Sequence, residues 1–153
     1  PINEGKITYS FNSNALEEED WQKYLNFSSP YLELIEEFTL TEHIDFHQKF
    51  KSLTKSLNTE KLIEILGFEK HIKKEIKYFS SGMRQKLKLG FAFFSESNII
   101  FLDEPSSNLD KTGFDWNYEK VRSVANQKIL LISSNEPAEY QFCKKSINIS
   151  DFK

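Results

Sequence analysis

Leu102-Asp103-Glu104-Pro105 sets two adjacent carboxylates at the end of the apolar run Ile99-Ile100-Phe101-Leu102. A short, bounded run of this kind suits a strand buried on both faces. Such a strand delivers its last residues to the carboxyl edge of a sheet, where open α/β folds bind their ligands. The first acid can hold Mg²⁺ through its waters, and the second can orient or deprotonate an attacking water. A strand leaving a core through a polar turn has the same sequence, so the acidic pair alone leaves both readings open. Two further motifs flank it. In Phe79-Ser80-Ser81-Gly82-Met83 the serine can cap a following helix, the glycine permits close backbone approach, and free N–H groups at the helix start favour an anion. Ser107-Asn108-Leu109-Asp110 reads as a polar turn ending in a good N-cap.

These residues need elements to position them. Lys6 to Phe11 alternates polar and apolar residues and predicts a strand with one buried face, closed by the turn chemistry of Asn12, Ser13 and Asn14. The acidic run Glu17 to Asp20 reads as a solvated turn or helix start. Helical spacing follows from Thr41 to about Lys77, with Ile44, Phe46, Phe50, Leu53 and Leu57 in one block, Leu62, Ile63, Ile65 and Leu66 in another, and Gly67 as C-cap of the second. A further helix is expected over 83–94, with Leu87, Phe91 and Phe94 inward. The acidic strand, a helix over 111–126 and the run Ile129 to Ile132 give a βαβ unit in a parallel sheet. Ser146 to Ser150 alternates again and predicts a last strand.

Taken in order, the three motifs resemble the signature motif, the Walker B strand and the D-loop of the ATP-binding subunits of ABC transporters, over nearly the whole chain. The resemblance implies an α/β fold: a P-loop NTPase-like parallel sheet flanked by helices, with an inserted helical subdomain. Residues 1–38 would form an N-terminal strand and degenerate Q-loop region, 39–95 the helical subdomain ending in the signature helix, and 96–153 the Walker B, D-loop and switch part of the core. Ser80, Ser81 and Gly82 would face ATP held by the opposite subunit, with Ser80 and Gly82 on its γ-phosphate. Asp103 would hold Mg²⁺ and Glu104 would act as general base. Asp110 would couple two sites across a head-to-tail dimer, and Asn135 would stand at the switch position. The implied partners are a second copy of the subunit and a transmembrane permease, which would place the chain at the cytoplasmic face of a membrane.

Several positions depart from that pattern. Ser81 takes the place of the first signature glycine, and Met83 that of the glutamine. At the switch, Asn135 stands where the family has histidine; an amide can donate a hydrogen bond but cannot carry positive charge. Slower turnover, or heavier reliance on Glu104, is the expectation. Phe27 to Tyr31 lacks the Q-loop glutamine, and Gln22 and Gln48 lie too far off to replace it, which leaves the second protein ligand of the metal unassigned. No G-x-x-x-x-G-K-[ST] phosphate loop is present, the only Gly-Lys pair being Gly5-Lys6. A truncated chain that binds ATP weakly or not at all is expected on that ground, together with association through an unpaired sheet edge.

Composition narrows the alternatives. The chain has 153 residues, enough for one core with a small subdomain. A net charge of -3 gives no global attraction to nucleic acid or anionic lipid. No apolar stretch reaches the ~20 residues that a spanning helix needs, so direct membrane insertion is not expected. Cys143 is the single cysteine and reads as a small buried hydrophobe. Lys70, Lys73, Lys74, Lys77, Arg84, Lys86 and Lys88 cluster locally; a solvated helical face is favoured over a phosphate-binding patch, though a soluble ABC-type ATPase acting on nucleic acid or ribosomes would use such charge. His43 and His47 sit four apart and could share a helix face, but no third ligand is evident, and with His71 they read as surface histidines. A non-catalytic dimerisation or docking module is the other alternative.

Overall fold

The structure, a computed structural model, describes residues 8–17, 19–55 and 57–152. Strands β1 (Tyr9–Phe11) and β2 (Asn14–Leu16) form an antiparallel hairpin. Its two-residue turn, Asn12 and Ser13, has φ of 50° and 66°, as the twist of such a hairpin requires. A 3₁₀ turn at Trp21–Tyr24 leads into β3 (Leu25–Ser28). Helices α1 (Leu40–Phe50), α2 (Thr59–Leu66) and α3 (Ser81–Phe94) follow. Then come β4 (Ile99–Asp103), α4 (Lys111–Val124), β5 (Ile129–Ser133) and the single turn α5 (Pro137–Tyr140). The strands β3, β4 and β5 make one parallel sheet in that order. Its register sets Ser28 beside Leu102, and Asp103 beside Ser133. The expected βαβ unit and α/β class are both present.

Local chemistry fixes the helix ends. Thr39 and Glu42 form a reciprocal capping box on α1, and Asn58 caps α2. Gly67 ends α2 at φ 69°, the left-handed geometry for which glycine has no steric penalty. Ser80 accepts the Met83 N–H at the start of α3, and Asp110 accepts the Gly113 N–H at the start of α4. Two apolar clusters form the interior. Leu40, Ile44, Leu62, Leu66, Ile76 and Leu87 belong to a helical one, and Leu89, Phe93, Ile100, Leu102 and Val121 to one on the sheet. Helix α3 contributes to both, which joins them into one body.

Several expectations need correction. The acidic strand is fully buried on one face alone: Ile100 and Leu102 are buried, while Ile99 and Phe101 are half-buried and the neighbouring Phe27, Ile129 and Leu131 are 49%, 61% and 45% exposed. Alternation in Lys6 to Phe11 does not mark a half-buried strand, since β1 is exposed along its length; the part at Lys6 and Ile7 lies outside the described residues. No strand forms at Ser146 to Ser150, because Asn148 accepts the Ser150 N–H through its side chain and turns the chain into a 3₁₀ segment. Leu53 is not helical: α1 stops at Phe50, and Leu53 bridges to Ser95. Cys143 is only partly buried. The basic cluster is not one solvated face either. Lys88 is buried, Arg84 bonds Glu36 and the Lys77 carbonyl, and Lys86 lies over Phe68 and Trp116.

Two of the histidines are interior groups. His43 is buried and its Nε2 accepts the Ile35 N–H, while the His47 ring stacks on Phe91 and bonds Ser95 Oγ at 2.8 Å. Burial, followed by the nearby His43 and Lys51 charges, brings His47 down to about 4, and burial also lowers His43. In the unfolded chain both return to the ordinary value of 6.5. Their contribution to stability is therefore complete above that value and declines as pH falls toward 4, where the unfolded chain takes up protons that the folded one refuses. Urea unfolding across that window should show a falling midpoint. His47→Leu should remove up to about 1.4 kcal/mol per pH unit of the slope; an unchanged slope would exclude His47 as its source.

The open sheet face has a consequence for solution behaviour. Adjoining exposed Phe27, Ile129 and Leu131 form an apolar patch, and no further strand pairs with the outer edges of β3 or β5 among the described residues. Sedimentation velocity on the 153-residue chain should show concentration-dependent association that Leu131→Lys weakens. A monodisperse monomer at high concentration is the contrary result.

Candidate functional site

β4 carries the acidic pair to the carboxyl edge of the sheet, and its two neighbours then treat the acids differently. Asp103 completes the strand, and its Oδ2 accepts a hydrogen bond from Ser29 Oγ at 3.1 Å, from the turn just past β3. Ser29 is buried, and its Oγ also accepts the Tyr31 N–H. Glu104 leaves the strand at φ 42°, a left-handed conformation uncommon outside glycine. Its N–H donates to the Ser133 carbonyl at 2.9 Å. Its Oε1 accepts both the N–H and the side-chain amide of Asn135, at 3.2 and 3.1 Å. A strained backbone of this kind costs about 1–3 kcal/mol and persists where surrounding contacts over-determine it. Here β5 and the residues after it provide those contacts.

The turn after the acids is tied down at three points. Pro105 is fully buried and its carbonyl accepts the Gln85 side-chain amide of α3. Glu139 of α5 is buried and accepts both the N–H and the hydroxyl of Ser106 through Oε1. Asn108, at φ 64°, turns its carbonyl toward the first turn of α3. A Cβ on Gly82 would lie 2.8 Å from that carbonyl oxygen, which is why a glycine stands there. Close approach at Gly82 is thus to this chain's own turn. A cavity of about 360 Å³ opens beside it, lined by Ser80, Ser81, Gly82, Lys86, Asn108 and Asp110 among others.

The expected site residues therefore fall into two groups. Asp103, Glu104 and Asn135 meet at the sheet edge. Ser80, Ser81, Gly82 and Asp110 meet around the cavity at the start of α3. The direct task of Asp110 in this chain is capping α4, since its Oδ1 accepts the Gly113 N–H at 2.7 Å. At the sheet edge the donors are a carboxylate and a hydroxyl, all oxygen, which suits a hard cation such as Mg²⁺. No group of three or more His, Cys, Asp or Glu side chains is assembled for a metal among the described residues.

Sequence reasoning missed Ser29, Lys88 and Glu139. Glu139 lies four residues after Asn135, but nothing local marks it as buried. Lys88 was one of a row of lysines, yet its Nζ donates to the Pro30 carbonyl at 2.7 Å and the Leu32 carbonyl at 3.4 Å. Ser29 lies one residue before the proline of a turn. It falls within the Phe27 to Tyr31 stretch marked by its missing glutamine, but across 74 positions nothing local singled out this hydroxyl as the partner of Asp103.

Comparisons with known proteins agree with this architecture. The family model described as ABC transporter matches residues 1–107. Mouse (Mus musculus) "ATP-binding cassette sub-family A member 17" is 32% identical over 105 residues, which is 67% of this chain and 6% of that protein. Human (Homo sapiens) "Phospholipid-transporting ATPase ABCA3" is 32% identical over 80 residues, covering 50% of this chain and 5% of that one. The chain thus spans a small part of the curated relatives it matches. Among solved structures, an ATP-binding subunit of an ABC transporter has a TM-score of 0.69 at 24% identity, over 82% of this chain and 54% of that one. A putative ABC transporter ATP-binding protein from Pyrococcus furiosus has a TM-score of 0.72 at 15% identity, over 92% and 69% respectively. These structural likenesses show the fold. Because the family model spans more than half of the sequence and takes in both the serine-capped helix and the acidic strand, the chain belongs to the ABC transporter family.

Proposed function

We propose that these residues supply part of an ATP-hydrolysing domain in which ATP is held between two copies arranged head to tail. The observation that carries this reading is the Glu104 carboxylate at the sheet edge, aimed by a left-handed backbone and held by two donors of Asn135. A general base must be oriented before it can take a proton from water, and a neutral amide can orient it without competing for that proton. Mg²⁺, when bound, would neutralise phosphate charge, and Asp103 is the residue that would hold it. The spatial division of the site residues supports sharing between copies. Ser80, Ser81 and Gly82, with N–H groups at a helix start suited to a phosphate, sit apart from Glu104 around their own cavity. They are placed to complete a partner's site, and Asp110 beside them to link the two.

Residues 39–95 would form the helical subdomain of such a domain, with 1–38 and 96–153 on the core side. A transmembrane permease partner would hold the chain at the cytoplasmic side of a membrane, and no helix of the described residues is long and apolar enough to cross one. A nucleic-acid role finds less support, since Arg84, Lys86 and Lys88 spend their donors or stems on this chain. With the 153 residues joined behind a glycine-lysine phosphate loop, Glu104→Gln should lower ATP turnover by about 10²–10⁴-fold. Asn135→Ala should lower it less and leave nucleotide affinity unchanged. Undiminished turnover in Glu104→Gln would sink the proposal. Calorimetry on the 153 residues alone should give weak ATP binding or none, and a micromolar Kd would contradict that part.

A further inference from the structure

Lys88 is 8% exposed, yet no carboxylate pairs with it among the described residues. A buried cation without a counter-charge is costly. Its Nζ partners are two backbone carbonyls, of Pro30 and Leu32, in the loop that follows β3. Burial lowers its pKa, as does the neighbouring Arg84 charge. An apolar side chain of the same length would remove the buried charge and leave the Pro30 carbonyl without this donor. What the amine adds is the placement of one loop on one helix. Arg84, one turn earlier on α3, bonds Glu36 farther along the same loop. Ser29 stands at the head of this loop, next to the proline that Lys88 holds, and donates to the Asp103 carboxylate.

We propose that Lys88 and Ser29 act as one positioning unit for Asp103. Lys88 fastens the loop to α3, and Ser29, fixed by that loop, sets the rotation of the carboxylate. Ser80 to Gly82 begin the same helix, so Lys88 and the loop tie that helix to the acid at the sheet edge. The functional meaning of the unit rests on Asp103 being the metal-holding acid, but its existence does not.

The test uses the 153-residue chain and reads the Asp103 carboxyl carbon resonance and the exchange rate of the Tyr31 amide. Ser29→Ala should displace the Asp103 resonance, and Lys88→Met should displace it in the same direction. Lys88→Met should also speed Tyr31 exchange roughly tenfold. The double variant should go no further than the larger single change, and Lys88→Arg should restore most of the original signal. An unmoved Asp103 resonance in either single variant, or additive displacements in the double variant, overturns the unit. Should Lys88→Met fail to fold, Lys88→Gln takes its place with the same outcomes. Broadening of the Asp103 resonance by added Mn²⁺ with ATP reads the metal separately. If it is absent once the 153 residues are joined behind a glycine-lysine phosphate loop, the metal reading fails while the comparison of variants still decides the positioning unit.

Discussion

Helix α3 can occupy only one place, and the rest of the molecule is arranged around that constraint. Leu87 and Phe91 belong to the helical cluster, while Leu89, Ala92 and Phe93 belong to the sheet cluster. The buried leucines and phenylalanines among them contribute about 1.5–3 kcal/mol each, so neither side yields easily. Gly90 lets the helix sit tightly on α2, where a Cβ would come within 2.9 Å of Leu66 Cδ2. Its C-terminal end is fastened to β3 by Asn26, whose amide donates to the carbonyls of Ala92 and Ser95. With its flanks and far end fixed, the position of Ser80 at its start is fixed too.

The acidic pair shows how one strand can serve two neighbours. Successive strand residues point to opposite faces, and the left-handed turn at Glu104 changes that direction again. Asp103 is consequently held from the β3 side by Ser29, and Glu104 from the β5 side by Asn135. Two adjacent carboxylates are thereby given separate partners, which keeps their charges from competing for the same donors. Pairing of β4 with both flanking strands brings those partners to the same level of the sheet.

Local features were legible in the sequence: the serine and aspartate caps, Gly67, the β4-α4-β5 unit and the two acids. Each depends on chemistry within a few residues. Strand β3 escaped because its polarity is reversed, with Asn26 and Ser28 inside and Phe27 outside. His43 and His47 differ from the surface reading because both rings stack on Phe91, and His47 also bonds Ser95, far along the chain. At the site, the reacting acids could be read, whereas the residues that aim them could not. Ser29, Lys88 and Glu139 reach their partners across 74, 58 and 33 positions, and only the folded topology brings those ends together.

The reversed polarity of β3 also bears on how this chain tolerates redesign. By hydropathy, Asn26→Val looks like a repair, putting a branched, strand-favouring residue in an interior slot. It would instead strip the Ala92 carbonyl of its side-chain donor and leave Ser95 with Lys128 alone. An orphaned interior acceptor costs about 1–3 kcal/mol, and here the loss would fall on the anchorage of α3 to β3. Conservation-blind hydrophobic optimisation would thus loosen the molecule at the position where it appeared to improve it.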